Sequence, residues 1–192
     1  MGIELSRPEA WTLVCEWIAS ESLRRHCLAV EAAMRHKALA KAADLELWGI
    51  TGLLHDLDYE RYPDPESGHP RVAMKLLAGL GYPAQVVRAI GSHADYMGIA
   101  RESDMEIALA AVDELCGFIM ACAYVRPQGI HGLTPTSVKK KLKSTAFAAS
   151  VSRADIYTAA TRLNVDFDEH LRDVIAALQP HAASLGIDGR PD

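Results

Sequence analysis

The chain has 192 residues, of which 49% are hydrophobic and 23% charged, and it contains 13 glycines and 9 prolines. This composition excludes fibrous, coiled-coil and disordered proteins, and the length predicts a single globular domain over residues 1–192. The formal net charge of −5 disfavours bulk nucleic acid as a partner, because duplex affinity depends on many Lys and Arg contacts with phosphates.

The cysteines and the apolar segments indicate the cellular compartment of the protein. The 4 cysteines form no C-x-x-C pair, and the first residues lack the basic and then apolar pattern of a secretory signal. The longest apolar run, Leu115 to Val125, is too short to span a bilayer. We therefore expect a cytoplasmic protein with reduced cysteines and no membrane partner.

Helical periodicity runs through almost every segment, and no segment alternates apolar and polar residues over the length of a strand. An all-α bundle of about seven to eight helices is therefore predicted. Capping residues and helix breakers predict where the helices of the first half begin: near Ser6, Ser22, Asp44, His69 and Pro83. The breaker-rich sequence YPDPESG predicts a loop after the third helix.

A long helix, capped by Asp104 and running to about Tyr124, is apolar nearly all round, which is typical of a core helix. The loop from Arg126 to Pro135 is where we draw a soft boundary between a metal-binding core, residues 20–125, and a helical extension, residues 126–192. Within the extension, helices are predicted to begin at Thr134 or Ser137, at Ser152 and near Asp166. The tail GIDGRPD is expected to be loose.

Residue types that bind metals recur in order along the chain: His26, His55, Asp56, His69, His93 and Asp113. A single histidine on an apolar face is more often a core residue than a ligand, but the joint occurrence favours one converging site. Asp113 lies in the apolar helix, where an inward carboxylate costs several kcal/mol unless it is paired or bound to a metal. The other histidines lie in polar or loop contexts: His36, His131, His170 and His181.

The order H…HD…H…H…D resembles the HD-domain superfamily of metal-dependent phosphohydrolases. The local sequences LLHDLD, ESGHPRVA, AIGSHADY and AAVDEL are also similar, and the set with two extra histidines resembles the dinuclear branch. The resemblance implies that the ligands divide in this way: His26, His55 and Asp113 on one ion, His69 and His93 on a second, and Asp56 bridging both.

Imidazole and carboxylate ligands suit Fe, Mn, Zn or Ni, and a set without thiolates disfavours a closed structural zinc site. Two divalent ions roughly 3.5–4 Å apart activate a water and neutralise charge on a phosphoryl group. We expect two transition ions per chain, with Fe or Mn favoured, and we give Asp56 and Asp58 catalytic roles. Asp58 either orients a ligand histidine or a bound water, or is merely solvated.

Two groups of basic residues are candidates for binding substrate phosphate. Lys139, Lys140 and Lys143, with Lys141 and Arg153, form a basic cluster that is equally compatible with a solvated helix face. Arg61, with Arg71 and Lys75 as weaker candidates, lies near the breaker-rich loop.

The resemblance implies a hydrolase that cleaves a phosphate ester or anhydride of a nucleotide or small phosphorylated metabolite through metal-activated water. Tyr59 stands where many hydrolytic and oxygenase relatives carry a lysine, so the substrates of those relatives cannot be transferred to this chain. The glycine-tyrosine-proline signature of cyclic-dinucleotide phosphodiesterases is absent, which disfavours a cyclic dinucleotide as substrate. The chain looks more like the small bacterial HD proteins, including those that cleave dinucleoside polyphosphates. Two alternatives stay open: a mixed-valent di-iron oxygenase acting on a small polyol or phosphonate, and a non-enzymatic bundle stabilised by metal. The sequence is compatible with a homodimer for each of these functions.

Overall fold

The computed structural model of the protein describes residues 6–190, so the first five and last two residues of the predicted domain lie outside the described part. Within that part the regular structure is helical and no strand is present, which confirms the predicted all-α fold. The chain divides into two compact units, one up to Ala110 and one from Ala111 onward. This division lies before the soft boundary drawn from the sequence.

The first unit consists of five helices, a 3-10 turn and the start of a sixth helix. These are α1 (Arg7–Trp17), α2 (Glu21–Ala40), α3 (Leu45–Leu54), α4 (Arg71–Gly79), α5 (Ala84–His93), the turn Asp95–Met97 and α6 (Asp104–Tyr124). Ser6 and Asp44 cap α1 and α3 as predicted. Ser20, two residues before the predicted start, caps α2 by accepting a hydrogen bond from the amide of Leu23.

Helices α2 and α3 approach more closely than side chains would allow. A Cβ atom at Gly52 would lie 2.8 Å from the carbonyl oxygen of Val30 and 2.9 Å from Cγ of Met34. Gly52 therefore permits the two backbones to touch. This contact brings the end of α3, where His55 follows, beside the part of α2 that carries His26.

The apolar core of the first unit draws on α1 to α5 and on the residues just after α3. Its fully buried members are Ala10, Val14, Ile18, Cys27, Ile50, Leu53, Leu54, Leu57, Ala73, Leu77, Val86 and Ile90. Their burial gives the unit a fixed framework, because apolar side chains removed from water stabilise by about 1.5–3 kcal/mol each.

Helix α6 begins with a capping box. The hydroxyl of Ser103 accepts a hydrogen bond from the amide of Glu106, and the Glu106 carboxylate accepts one from the amide of Ser103. The prediction that Asp104 caps this helix is therefore wrong, because the reciprocal pair around it satisfies the free amides. By length and composition α6 is also long and apolar enough to cross a membrane, but 61% of its most apolar window is buried in the protein, as in the core helix of a soluble protein.

The second unit contains the rest of α6 and four further helices: α7 (Pro135–Leu142), α8 (Arg153–Leu163), α9 (Phe167–Leu178) and α10 (Ala182–Leu185), with a 3-10 turn, Gln179–His181, before the last. Thr134, Ser152 and Asp166 cap α7, α8 and α9, which settles the choice between Thr134 and Ser137. The described residues thus form ten α-helical segments, the last a single turn.

The tail is packed as far as Arg190, so the prediction of a loose tail is wrong for these residues. Ile187 is buried, its carbonyl oxygen accepts a 2.8 Å hydrogen bond from the amide of Ile130, and the amide of Arg190 donates to Pro127 at 2.9 Å. Gly129, at a φ of +58°, makes this possible, because a Cβ there would lie 2.0 Å from the Ile187 carbonyl oxygen. Residues 191 and 192 of the predicted tail lie outside the described part.

Candidate metal centre

Five of the six predicted ligands meet at helix ends of the first unit. His26 lies in the second turn of α2, His55 and Asp56 follow the last residue of α3, His69 comes shortly before α4, and His93 is the last residue of α5. Within the described residues, two groups of side chains have ligand atoms that all lie within 4.8 Å of one another. One group is His26, His55 and Asp56, and the other is Asp56, His69 and His93.

Asp56 belongs to both groups, and its two carboxylate oxygens face different histidines. Oδ2 lies 3.7 Å from Nε2 of His26 and 3.4 Å from Nε2 of His55. Oδ1 lies 3.5 Å from Nε2 of His69 and 3.7 Å from Nε2 of His93. Each oxygen together with its two imidazole nitrogens could hold a metal ion.

Backbone carbonyls fix two of the imidazole rings. Nδ1 of His55 donates to the carbonyl oxygen of Gly52 at 2.8 Å, and Nδ1 of His93 donates to that of Ile90 at 2.5 Å. A carbonyl oxygen only accepts, so Nδ1 carries the proton in each ring. Nε2 is then the ring nitrogen that is available to bind a metal ion in the cluster.

His69 is fixed by a carboxylate instead. Its Nδ1 donates to Oδ1 of Asp58 at 2.8 Å, while Oδ2 of Asp58 accepts a 2.7 Å hydrogen bond from the amide of Ala73. Asp58 is fully buried, and both of its oxygens are used in these bonds. Asp58 is therefore not merely solvated, and its contacts fix the orientation of the His69 ring. A catalytic role for Asp58 stays a prediction.

The cluster is mostly buried but partly open to solvent. The His55 side chain is fully buried and those of His69 and His93 are nearly so, whereas Asp56 is 13% and His26 17% exposed. Next to the cluster, burial and then the charges of Asp56 and Asp58 raise the pKa of Tyr96 above its usual value. A solvent-accessible carboxylate among imidazoles, in a negative local field, favours a divalent cation.

A sequence model of the HD domain matches residues 23–160, which is more than half of the chain. The chain belongs to the HD domain family. HD domains are all-α, bind divalent metals and are generally hydrolases, and the matched range contains all six predicted ligand positions. Comparisons with curated proteins and with solved structures give no significant match.

Two residues that hold elements of the metal-ligand cluster in place were not among the site residues predicted from the sequence. Nε of Arg101 donates to the carbonyl oxygen of Ser92 at 2.8 Å, and one of its terminal nitrogens donates to that of His93 at 2.7 Å. Arg101 thereby caps the end of α5 that carries His93. In the sequence, this contact is signalled only by a cation eight residues beyond the end of α5.

The second supporting residue is Glu60, which lies in the loop after the HD pair. Its Oε2 accepts hydrogen bonds from the amides of Ala19 at 2.8 Å and Ser20 at 3.1 Å, immediately before α2. The loop is thereby tied to the start of the helix that carries His26. Nothing local in the sequence indicates this contact, because 40 residues separate Glu60 from Ser20.

Asp113, the sixth predicted ligand of the HD set, is half-buried on α6 in the second unit. Burial raises the pKa of the neighbouring Cys116 thiol well above its usual value, and the negative charge of Asp113 adds to this shift. The two groups around Asp56 consist of residues of the first unit. Binding of an ion by Asp113 stays a prediction.

The candidate phosphate-binding residues have the following surroundings. Arg61 donates to the carbonyl oxygen of Glu16 and lies 5.1 Å above the ring of Trp17, at the end of α1. In the second unit, Lys139 forms a 2.6 Å ion pair with Asp168. Lys140 and Lys143 are exposed in the same unit.

The weaker basic candidates of the second unit are engaged in packing. Nζ of Lys141 lies 4.6 Å above the ring of Phe147. Arg153 donates to the carbonyl oxygen of Val151 at 2.7 Å and lies 5.0 Å above the ring of Phe118. These contacts hold the segment between α7 and α8 in place.

The four histidines set aside by the sequence analysis differ in their surroundings. His36 is half-buried, His181 is exposed, and exposed His131 pairs with Asp188 at 2.7 Å. His170 is fully buried on α9, and its Nε2 lies 3.0 Å from the carbonyl oxygen of Ala111. The expectation of a polar or loop context is therefore wrong for His170, which occupies the buried face of its helix.

Proposed function

We propose that this HD domain protein is a metal-dependent phosphohydrolase that cleaves a phosphate ester or anhydride of a nucleotide or small phosphorylated metabolite. The observation that carries the proposal is the position of Asp56, with one carboxylate oxygen toward His26 and His55 and the other toward His69 and His93. Divalent ions held there would lower the pKa of a water molecule and neutralise charge on a phosphate.

We assign His26, His55 and Asp113 to one ion, His69 and His93 to the other, and Asp56 to both. The ligand set consists of imidazoles and carboxylates, which supports two transition ions per chain, with Fe or Mn favoured over Zn or Ni. The buried thiols stand apart from this set, because raised pKa values at Cys116 and Cys122 disfavour thiolates in the protein.

The protein's own contribution is to hold the ligand atoms in place before the substrate arrives. Asp58 fixes the ring of His69, and backbone carbonyls fix those of His55 and His93. Asp56 remains partly open to solvent, so a substrate phosphate can approach from its side. A rigid ligand shell of this kind supports catalysis because misplacement by about 1 Å can cost a hundredfold in rate.

We also propose that Lys139, Lys140 and Lys143, together with Arg61, contact the phosphate groups of the substrate. Lys140 and Lys143 support this role best, since both are exposed. The small phosphorylated substrate and the free cysteines are consistent with a cytoplasmic protein.

The proposal is tested by phosphate release. Protein purified without chelator is assayed with Mn²⁺ or Fe²⁺ against mononucleotides, dinucleotides, dinucleoside polyphosphates and sugar phosphates. We expect metal-dependent turnover that Asp56→Asn abolishes and Asp64→Asn, in an exposed loop, leaves unchanged. Absence of turnover with every metal, or oxygen uptake with a polyol or phosphonate, would replace this function with one of the alternatives.

A further inference from the structure

His93 is the last residue of α5, a position where a helix is least constrained by its own hydrogen bonds. The chain leaves the helix at the next residue, because Ala94 has an extended backbone with φ −85° and ψ 113°. Nδ1 of His93 donates to the carbonyl oxygen of Ile90 within the last turn. The direction of the His93 imidazole therefore depends on this turn staying helical.

Arg101 holds the last turn of α5 from outside the helix. Its guanidinium donates to the carbonyl oxygens of Ser92 at 2.8 Å and His93 at 2.7 Å, and it forms a 2.5 Å ion pair with Asp95 in the turn that follows. The Arg101 side chain is only 11% exposed, and Ser92 is buried. Loss of the guanidinium would remove the partner of a buried residue's carbonyl group, which disfavours the present end of α5.

The segment that carries Arg101, residues 99–103, directly precedes α6 and is fixed on both sides of the arginine. Before it, the carbonyl oxygen of Ala100 accepts a 2.8 Å hydrogen bond from Arg88 of α5. After it, the Glu106 carboxylate accepts hydrogen bonds from the amides of the next two residues. The guanidinium of Arg101 is therefore held in a defined position against α5.

The other histidines of the centre are held by different parts of the first unit. His26 lies within α2, whose helix continues on both sides of it. The carbonyl oxygen of Gly52 fixes the ring of His55, and Asp58 fixes that of His69. Each of these three residues thus has a support of its own, separate from the connection between α5 and α6.

We propose that Arg101 is a positioning residue for His93 and that it controls the affinity for one of the two ions, the one assigned to His69 and His93. The other ion should bind without it. Asp56 faces the two pairs of histidines with different oxygens, so one ion site can weaken while the other is kept. This inference rests on the proposed function, since it concerns the two-ion centre of the same site.

The test is a titration of metal-free protein with Mn²⁺, followed by calorimetry and by electron spin resonance, which distinguishes a coupled pair of ions from a single ion. Arg101→Met removes the guanidinium and keeps the apolar stem, whereas Arg101→Lys also keeps the charge. Arg88→Met is the matched control, because Arg88 holds the same segment at Ala100 rather than at His93. Glu106→Gln is a second control, at the other end of the segment.

We expect the parent to bind two ions and Arg101→Met to bind one of them about 10- to 100-fold more weakly, as is typical when the support of a metal ligand is lost. At Mn²⁺ concentrations that saturate the parent, its spin-resonance signal should be that of a coupled pair and the signal of Arg101→Met that of a single ion. Arg101→Lys should weaken the same ion by a smaller factor. Both controls should bind two ions as the parent does.

Thermal unfolding of the metal-free variants verifies that each is folded, and Arg101→Lys provides the test if Arg101→Met is not. Equal weakening of both ions in the Arg101 variants would show a general effect on stability and overturn the inference. An equal loss in Arg88→Met would overturn it as well, because the segment and not the contact with His93 would then be responsible.

The two proposals fail in different ways. If two ions bind to the parent and both stay bound in Arg101→Met, the role of Arg101 is refuted and the phosphohydrolase stands. Selective loss of one ion, in a protein that releases no phosphate from any substrate, would support Arg101 and refute the hydrolase. A single ion in the parent would refute the role of Arg101 together with the dinuclear centre.

Discussion

Nδ1 of His69 lies 2.8 Å from Oδ1 of Asp58, a carboxylate that is fully buried and receives a second hydrogen bond from the amide of Ala73. An amide at position 58 accepts through one atom only, so Asp58→Asn leaves one of the two donors facing an NH₂ group. We expect metal affinity to fall about 10- to 100-fold and stability to fall by about 1–3 kcal/mol. Metal titration and thermal unfolding measure both effects. Asp64→Asn is the control, and unchanged metal affinity in Asp58→Asn would contradict the positioning role.

Metal retention tests the ligand set directly. We expect His55→Ala and Asp56→Ala to lose bound metal, because each removes a side chain from a group of ligand atoms around Asp56. His36→Ala and His181→Ala should retain it. Elemental analysis of protein purified without chelator provides the measurement. Equal losses in all four variants would refute the ligand assignment, and a single ion in the parent would refute the dinuclear centre.

The capping box of α6 predicts a pH-dependent loss of stability. Burial alone would raise the pKa of Glu106, but hydrogen bonds from the amides of Glu102 and Ser103, together with the charge of Arg88, hold it below its usual value. A carboxyl group whose pKa is lowered on folding stabilises the protein above its unfolded pKa and loses this effect as the pH falls through the folded pKa. We expect Glu106→Gln to be less stable by about 1 kcal/mol at pH 7.

The difference between Glu106→Gln and the parent should shrink as the pH falls, because the parent carboxyl becomes protonated as the pH passes through its lowered pKa. Urea unfolding at about pH 7 and about pH 3 measures it. Glu102→Gln, with a largely exposed carboxylate, serves as the control. A constant difference at both pH values would show that the charge of Glu106 has no part in the cap.

Thiol reactivity should single out Cys15. Burial raises the pKa of Cys122 to about 11 and that of Cys116 well above its usual value, and Cys27 is buried as well. The thiolate is the reactive form, so these three react slowly in the folded protein. We expect one rapid equivalent with a disulfide reagent at about pH 8, and four after denaturation. Rapid reaction of a second thiol would contradict the packing around these cysteines.

The basic cluster of the second unit is tested by kinetics. We expect Lys140→Ala combined with Lys143→Ala to raise KM for a phosphorylated substrate several-fold with little change in kcat, because both side chains would contribute charge to substrate binding. Lys41→Ala, which removes a surface ion pair with Asp104, is the control. Unchanged kinetics in the double variant would reduce Lys140 and Lys143 to surface charges.

Much of the local structure could be predicted because its causes are local. Ser6, Asp44 and Ser152 cap helices through amides two or three residues away, and such pairs are visible in the sequence. The convergence of His26, His55, His69 and His93 was also predictable, since each lies within a helix or beside a helix end that an all-α core can bring inward. The family resemblance added the expectation that Asp56 lies between them.

The features that could not be predicted from the sequence depend on contacts between residues that are far apart along the chain. The carbonyl oxygen of Ile187 accepts a hydrogen bond from the amide of Ile130, and the Glu60 carboxylate accepts one from the amide of Ser20. Nothing in the local sequence pattern requires either contact. The prediction of a polar context for His170 was wrong because its sequence neighbours are charged, whereas His170 itself lies on the buried face of α9. Periodicity identifies the faces of a helix but not the partner that covers each face.

Gly52 precedes His55 by three residues and lets α3 rest against the backbone of Val30. The spacing of the His26 and His55 imidazoles is therefore set by steric contact between two helices, which forms when the chain folds. The centre is preorganised, and little of the free energy of ion binding is lost to ordering the chain. Small zinc modules behave differently, because their apo chains are unfolded. Chelation of this protein should accordingly leave a folded bundle, with an unfolding temperature lowered by the loss of ions that bind only the folded chain.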